Sequence, residues 1–449
     1  MRSRTNRRGD MSAFRPILLL AVTVFIDLLG FGIVLPNLPQ YIEGAVGPNH
    51  AHAALIGTLL AASYSFTQFL CAPAWGRYSD RAGRRPVILI SLLGIGLAYL
   101  FFGFAAGRLW MLFAARILAG LLSSASIGVA FAYVADVTTP EKRAQGIGLL
   151  GACFGLGFML GPALGGLLGH ISLPLPAFVA AGMALINWVF TLRFLPESLS
   201  KEERERAARG ETGTPEPMLS LLSRVVQGPA GFLFILTFLV TFGFAAMEQI
   251  FSFYLLAHKS FGVTRESQPL VTGCILGGAG LVSIFIQGGL IGRIVARYGE
   301  GLTARVGIFL LAFGFATFTI PNSLYSLALG PMMLLFIGRA MVAPALSALV
   351  SRKANLGQGL TLSTSQSFDA LARTVGPLTA GAVFQYISPG APYILSAVVM
   401  ASAFALAYTY REQMIVPKQP PTGGSGVEQE AVPDEGFVPA PAKPVKAGR

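Results

Sequence analysis

Read for polarity alone, the chain of 449 residues alternates long apolar runs with short polar breaks. The runs reach the length at which a helix crosses a bilayer's hydrocarbon, about 20 residues, and they recur from Pro16 to Tyr410. Breaks marked by Gly, Pro and charge divide them into twelve segments, near 16–41, 52–74, 86–106, 109–136, 145–169, 174–195, 230–257, 267–291, 302–320, 324–350, 357–386 and 390–410. The pattern predicts an all-α polytopic membrane protein with twelve transmembrane helices. An even number of crossings puts both termini on one side.

Lys and Arg choose that side. They crowd into the N-terminal tail, the stretch Trp75–Val87, the Glu141-Lys142-Arg143 break, 196–228, Arg293 to Arg305, Arg352-Lys353 and the C-terminal tail, whereas the alternate breaks hold only Arg108, Lys259 and Arg265. Basic breaks face the cytosol. The expected organisation is a cytosolic basic N-terminus (1–15), an N-terminal six-helix bundle (16–195), a cytosolic linker (196–229), a C-terminal six-helix bundle (230–411) and a disordered cytosolic tail (412–449). Leu219, Leu222, Val225 and Val226 in the linker can form a short surface helix or remain plain linker. The run from Ile17 to Tyr41 is too long for a signal peptide's apolar core and is expected to stay as the first helix.

The halves echo each other. GRYSDRAGRR after the second segment is answered by GRIVARYGEG at Gly292 to Gly301, and GPALGG in the fifth by GPLTAG in the eleventh. LFAARILAG in the fourth is answered by LLFIGRAMV in the tenth, which sets Arg116 opposite Arg339. Repeats at matching places in two six-helix halves mark transporters that rock one half against the other about a central site.

Composition narrows the classes further. With 53% hydrophobic and 12% charged residues, no charged surface can cover a soluble core of this size. The net charge of +12 is scattered in breaks, which fits membrane orientation and not nucleic-acid binding. Cys71, Cys153 and Cys274 fall inside apolar runs and read as buried thiols. His50, His52, His170 and His258 lie in or near loops of the opposite side without carboxylates at metal-ligand spacing. No HExxH, GxSxG or phosphate-cradling loop is found, so neither an enzyme nor a resident metal or cofactor is expected. The expected partners are a small-molecule substrate, protons and the bilayer, with the chain a monomer in the inner or plasma membrane.

The loop GRYSDRAGRR, Arg116 in the fourth segment, the Gly-Pro pattern of the fifth and LPES closing the sixth resemble the major facilitator superfamily over about residues 15 to 412. FIDLLGFGIVLPNLPQY in the first segment is similar to the drug:proton antiporter branch that contains the bacterial tetracycline efflux proteins. The resemblance implies the major facilitator fold and export of a small amphipathic compound against protons. Tetracycline exporters commonly carry acids in the third and ninth helices; SLLGIGLAYLFFGFA and 302–320 have none, which argues against tetracycline itself. An importer or facilitator of a metabolite, or a non-transporting receptor, remains open on the residues alone.

Asp27 lies roughly 16 Å along the first helix at ~1.5 Å per residue. An ionised carboxylate there costs about 2.5–3.5 kcal/mol unless it faces a wet cavity or is paired. It is read as the main proton carrier, sitting in water-accessible space, or as a static structural acid near Gly30 and Gly32. Arg116 can hold Asp27 ionised, bind an anionic substrate, or snorkel toward the interface. Glu248 with Gln249 in the seventh helix is a second proton or cation candidate, or a solvated rim. Asp369 and Arg373, four apart on one helix face, can neutralise each other or take part in transport. Tyr64, Phe66, Phe251, Phe253 and Tyr254 suit an apolar cavity, or fill space against lipid.

In the basic loop, Gly76 and Gly83 are expected to give the chain its turn, and Asp80 to accept from arginines or cap a helix end. Arg81 and Arg84 can reach a carboxylate at a helix terminus, Asp136 above all. By resemblance this cluster is a cytosolic gate that latches the halves in the outward-facing state; the bland reading is topology alone, which leaves Asp80 idle. Ala296 stands where the second half would need its own Asp80, so the latch is expected to be lopsided. In the fifth helix Gly151, Gly155, Gly157, Gly161 and Gly165 offer a ridge for close packing, and Pro162 frees the Phe158 carbonyl.

Overall fold

The computed structural model describes residues 2–47, 50–105, 107–138, 140–209, 218–228, 230–353 and 358–415. The tail expected to be disordered lies, from 416 onward, outside the described residues.

Helices account for nearly all of it. The first half holds α1 (Arg2–Val34), α2 (Ala53–Ala82), α3 (Arg84–Gly103), α4 (Leu109–Val137), α5 (Pro140–Ile171) and α6 (Leu175–Phe194). α1 starts well before the apolar run and passes through a 3-10 turn at Leu35–Asn37 into Leu38–Val46. Pro36 and Pro39, which lack an N–H for the regular ladder, account for that change of winding. In the second half, α7 (Gly231–Ala257) precedes a continuous stretch, Gln268–Ala316, of 49 residues. α10 (Leu324–Lys353) carries a π turn at Ala328–Met332 around Pro331, and α11 (Gln358–Tyr386) and α12 (Ala391–Thr409) complete the fold.

Among the described residues ten stretches are long and apolar enough to cross a membrane. The long one divides at Gly299, whose φ of 79° reverses the chain, into α8 (268–298) and α9 (300–316). α11 is too polar to be counted with the ten because it faces the interior. With these two adjustments the elements are consistent with the twelve crossings expected.

Gly299 has a counterpart in Gly83, φ 104°, which alone turns the chain between α2 and α3. A left-handed residue reverses direction at no steric cost only when it lacks a Cβ. The expectation that Gly76 shares this turn is corrected: Gly76 is helical, inside α2, with open space where a Cβ would stand. One residue at positive φ suffices, so most of GRYSDRAGRR is the last two turns of a helix rather than a loop.

The two halves repeat one packing scheme. α1 packs on α5 and α6, α2 on α4, and α3 on α4 and α6; likewise α7 packs on α11 and α12, α8 on α10, and α9 on α10 and α12. Between the halves, α5 lies against α8 and α2 against α11.

Small residues make the closest of these approaches possible. A Cβ on Gly157, Gly161 or Gly165 would strike backbone of α1, at Phe25, Leu29 or Ile33. Gly151 and Gly155 do not share the ridge: a Cβ on the first meets nothing within 4 Å and on the second only the Gln287 side chain at 3.8 Å. They lie on another face of α5, whose Leu150 in the same stretch still packs with Ile17 and Leu20 of α1.

In the linker, Lys201–Ala208 opens with a capping box in which Ser200 and Glu203 satisfy each other's backbone N–H. Met218–Gln227 is indeed a short helix, and Val225 is buried in the core of the second half. The side chains of Leu219 and Leu222 lie outside what is described.

Candidate functional site

At the end opposite the basic breaks, the halves are joined. Gly166 of α5 faces Pro269 and Gly273 of α8, and Gly277 faces Ala163, so helix backbones touch with no side chain between them. Gly381 of α11 receives Thr58 of α2, and Gly57 receives the ring of Phe253. Polar bonds cross the same seam: Gln268 Nε2 donates to Pro36 O at 2.9 Å, Gln40 Nε2 to Arg265 O at 2.7 Å, and Arg265 pairs with Glu43 at 2.9 Å.

Toward the basic end the halves part around a cavity of about 700 Å³. Its wall is mostly apolar and comes largely from the first half, with Phe31, Tyr64, Phe69, Phe131 and Phe158 as its rings. The second half contributes α11 alone, through Gln366, Ser367, Ala370 and Arg373. Gly76, Asp80, Arg84 and Asp136 stand at the mouth, where the Asp80 side chain is 50% exposed. Of the other aromatic candidates, Phe66 lies on the outer surface, and Phe251, Phe253 and Tyr254 are buried away from the cavity, Phe253 at the seam between the halves.

The mouth is organised by Arg84. Its guanidinium pairs with Asp80 at 2.6 Å and Asp136 at 3.1 Å, and donates to Ser79 Oγ at 2.6 Å. Arg81, expected to share this role, is exposed and does not reach Asp136 among the described contacts. It sits on the last turn of α2 with its side chain outward, while Arg84, one residue past the reversal, is turned inward and buried. Glu197, of the LPES that closes the sixth segment, is a member of the cluster to which the sequence reading assigned no role: Oε1 accepts the N–H of Arg84 at 2.8 Å and Oε2 that of Arg85 at 3.2 Å. A carboxylate at the N-terminus of α3 satisfies donors that no helical turn can reach. It also lies where a Cβ on residue 83 would go, a second reason for glycine there.

With Ala296 in place of an acid the second half has no counterpart to the Arg84–Asp80 pair, but it has one to Arg84–Asp136. Glu300, the residue after its reversing glycine, pairs with Arg352 at the end of α10 at 3.1 Å. The first half uses Arg84 after its glycine and Asp136 at the end of α4, so the same helix ends are tied with the charges exchanged.

Deeper in, Asp27 is 2% exposed and does not line the cavity, which corrects its expected place in open water-accessible space. It sits directly behind the wall. Oδ2 accepts from Ser123 Oγ at 2.9 Å and Ser126 Oγ at 2.6 Å, while Oδ1 has no partner. Ser123 Oγ in turn accepts from Tyr64 Oη at 2.6 Å and Gln68 Nε2 at 3.2 Å, and both of those residues line the cavity. The two serines stand three apart on the inner face of α4, a spacing present in LLSSASIG that nothing local marks as functional.

Arg116 is 1% exposed and none of its three guanidinium nitrogens has a hydrogen-bond partner. It does not snorkel, and no ion pair joins it to Asp27. Instead its guanidinium lies 5.5–5.8 Å from the centroids of Phe31, Tyr64 and Phe102. Ring faces stabilise a desolvated cation by about 2 kcal/mol, short of the several kcal/mol that burying the charge costs. Arg339, its repeat partner, lies 5.5 Å from Phe244, and Phe31 and Phe244 each follow a glycine in the helix that opens a half.

Glu248 and Gln249 are 5% and 4% exposed, so neither is a solvated rim residue. Glu248 lies within electrostatic reach of Arg339 and Arg373, and Asp369 within reach of Arg339. Asp369 Oδ1 accepts from Thr241 Oγ1 at 2.6 Å, which ties α11 to α7. Two acids and two arginines thus share the interior of the second half. Among the described residues no cluster of metal-ligating side chains is found.

Comparison with known proteins agrees with this geometry. The sequence profile of the Major Facilitator Superfamily matches residues 20–360. The chain is similar to Multidrug resistance protein 2 of Bacillus subtilis (strain 168), 28% identical over 397 residues that cover 88% of this chain and 95% of that one. It is 32% identical over 366 residues to Tetracycline resistance protein, class E, of Escherichia coli, covering 81% and 86%. The crystal structure of the human organic anion transporter MFSD10 (TETRAN) superposes with a TM-score of 0.68 at 28% identity, covering 88% of this chain and 99% of that one. A profile spanning most of the chain, a helical architecture repeated in two halves and a central cavity closed at one end lead to one family: this chain belongs to the Major Facilitator Superfamily and is a multi-pass membrane transporter, not an enzyme.

Proposed function

We propose that the protein is a proton-coupled antiporter that exports a small amphipathic compound by alternating access. Its place is the cell membrane, with both termini and the linker cytosolic, and it works as a monomer. The observation that carries this reading is the aromatic, largely apolar cavity open at the basic end, with a buried acid hydrogen-bonded to its wall through Ser123. The basic end faces the cytosol by its Lys and Arg content, so the substrate enters from the cytosol or inner leaflet. Apolar rings hold its body without demanding one shape.

Coupling rests on Asp27. An acid inside the membrane is tolerated as a carboxylate only with donors around it, and as a carboxylic acid without them. The serine hydroxyls supply donors while the cavity is open to the cytosol. Loading from outside and release inside, each gated by which end is closed, then drives the substrate the other way. The cluster of Asp80, Gly83, Arg84, Asp136 and Glu197 acts as the cytosolic gate, and the Gly157, Gly161, Pro162 and Gly165 ridge keeps α1 and α5 moving as one body.

The test is a toxicity panel in a host stripped of its own exporters, with wild type beside Asp27→Asn. Protection by wild type that is lost in the variant supports the reading; protection that survives unchanged removes Asp27 from the coupling.

A second reading, transport of an organic anion, is favoured by Arg373, the charged residue that lines the cavity away from its mouth, and by the similarity to the human organic anion transporter. An importer would move the same anion inward. Counterflow in vesicles with an imposed pH gradient separates these: antiport requires proton influx with substrate efflux, whereas an anion bound at Arg373 and carried with a proton moves in the proton's direction.

A further inference from the structure

We propose that Ser123 is the relay of a hydrogen-bonded proton path that joins the cytosol-facing cavity to Asp27 through Tyr64. The inference rests on the reading of Asp27 as the coupling acid and adds how a proton reaches or leaves it. The acid is sealed from the cavity, so in this conformation water cannot touch it directly. Yet a continuous chain of hydroxyls leads from the acid to Tyr64, a residue of the cavity wall. Tyr64 Oη donates to Ser123 Oγ at 2.6 Å, and Ser123 Oγ donates to Asp27 Oδ2 at 2.9 Å. Both are ordinary O–H···O lengths.

The chemistry balances. A hydronium in the cavity gives its proton to Tyr64 Oη, Tyr64 passes its own to Ser123 Oγ, and Ser123 passes its own to Asp27 Oδ2. Each O–H bond broken is matched by one formed, and hydronium plus carboxylate become water plus carboxylic acid. Release to the cytosol runs the same path backwards. Gln68 Nε2 also donates to Ser123 Oγ, at 3.2 Å, and an amide N–H cannot pass a proton on at neutral pH. Its part is to hold the serine oxygen as an acceptor. Ser126 donates to Asp27 as well, at 2.6 Å, but its other contact is the backbone carbonyl of Ser123 at 3.1 Å, which ends that branch.

The same geometry makes the acid two-sided. Oδ2 is committed to the path toward the cavity, and Oδ1 has no partner. Among the groups that face Asp27, Tyr64 from α2 and Tyr99 from α3 lie within its electrostatic reach, and the Tyr99 hydroxyl is likewise without a partner. Arg116 from α4 reaches both tyrosines. α5 presents Gly157 and Gly161 to α1, and α6 presents Asn187, which donates to Thr23 at 2.9 Å; neither is titratable. Oδ1 is therefore the oxygen left for exchange when the opposite end opens.

The experiment follows the carboxyl itself, so no substrate is needed. Full-length protein in lipid nanodiscs is given a pH jump, and the infrared C=O band absent in Asp27→Asn is followed in time. Ser123→Thr keeps the hydroxyl and Ser123→Val removes it at the same shape, so packing effects cancel between them. The expected result is a rate about 100-fold slower in Ser123→Val than in Ser123→Thr, the scale of losing one positioned proton-transfer group. Tyr64→Phe should slow it comparably, and Ser126→Ala should leave it near wild type. Should the Thr and Val variants fail to fold, Tyr64→Phe against wild type decides alone. Equal rates in Ser123→Thr and Ser123→Val, or an unslowed Tyr64→Phe, overturn the path and leave the reading of Asp27 as the coupling acid standing. A carboxyl that shows no Asp27-dependent band at any pH overturns the coupling reading, and the path with it.

Discussion

Replacing Gly166 with alanine should push the transporter out of its cytosol-open form. The Cβ of an alanine would meet the Pro269 carbonyl oxygen and stand 2.6 Å from Gly273 Cα, both backbone of α8. No rotamer change relieves a backbone contact. Since nonbonded carbons sit about 3.5–4.0 Å apart, α5 and α8 must separate by roughly 1 Å at this point. Overpacking of this kind costs about 1–3 kcal/mol. In alternating access the contact exists only while the end opposite the basic loops is shut, so the cost falls on that state, and the population ratio moves by about 5- to 150-fold. The assay uses Ser252→Cys in a background lacking Cys71, Cys153 and Cys274. Ser252 is 2% exposed and donates to Leu35 O across the seam at 3.4 Å. A membrane-impermeant maleimide applied from outside should label this cysteine far faster once Gly166→Ala is added. Gly128→Ala, where a Cβ meets nothing within 4 Å, is the matched control and should not change labelling. If Gly166→Ala inserts normally and labelling stays at the control rate, the seam is not what holds that end closed.

Glu43→Gln should act in the same direction but weakly. The pair with Arg265 has side chains 18% and 45% exposed, and such partly exposed ion pairs contribute about 0.2–1 kcal/mol. Labelling of Ser252→Cys should therefore rise by less than about five-fold; an effect matching Gly166→Ala would count against this ranking. Gly165→Ala, whose Cβ would collide with the Ile33 carbonyl of α1, should lower stability in detergent by about 1–3 kcal/mol, whereas Gly151→Ala should be neutral or slightly stabilising. Thermal unfolding compares them, and equal shifts would refute the packing assignment. Arg352→Glu should destabilise the second half by facing Glu300, and adding Glu300→Arg should recover most of the loss; a double-mutant cycle with no coupling would show the pair to be incidental. Asp80→Asn should disturb the gate less than Asp136→Asn, because the Asp80 side chain is 50% exposed against 21% for Asp136, which also accepts from Ser198 Oγ; cysteine accessibility along α2 and α11 reads the difference.

Much of the architecture was legible from the chain alone. Twelve apolar runs, the alternation of basic breaks and the echo of Gly76–Arg85 in Gly292–Gly301 follow from how a bilayer treats unpaired backbone and charge, and that physics acts on local sequence. Asp27 and Arg116 stood out for the same reason, because a charge in a membrane helix is costly wherever the helix packs. What each charge touches was not legible. A serine in a membrane helix bonds its own backbone as readily as a neighbour, as Ser124 does with the Leu121 carbonyl, so nothing local distinguishes Ser123 and Ser126, which serve Asp27 from 96 and 99 residues away. Glu197 sits on the N-terminus of α3, 113 residues from Arg84, for the same kind of reason. The second half's pair was hidden by its exchanged signs, which motif comparison scores as a loss and spatial pairing restores. Sequence thus determined which helices exist and which groups are too costly to be idle. Only the tertiary structure decided that the acid lies behind the cavity wall and that Arg116 rests among rings, because hydrogen-bond partners and ring contacts between helices are set by packing angle and rotation, and no local pattern encodes those.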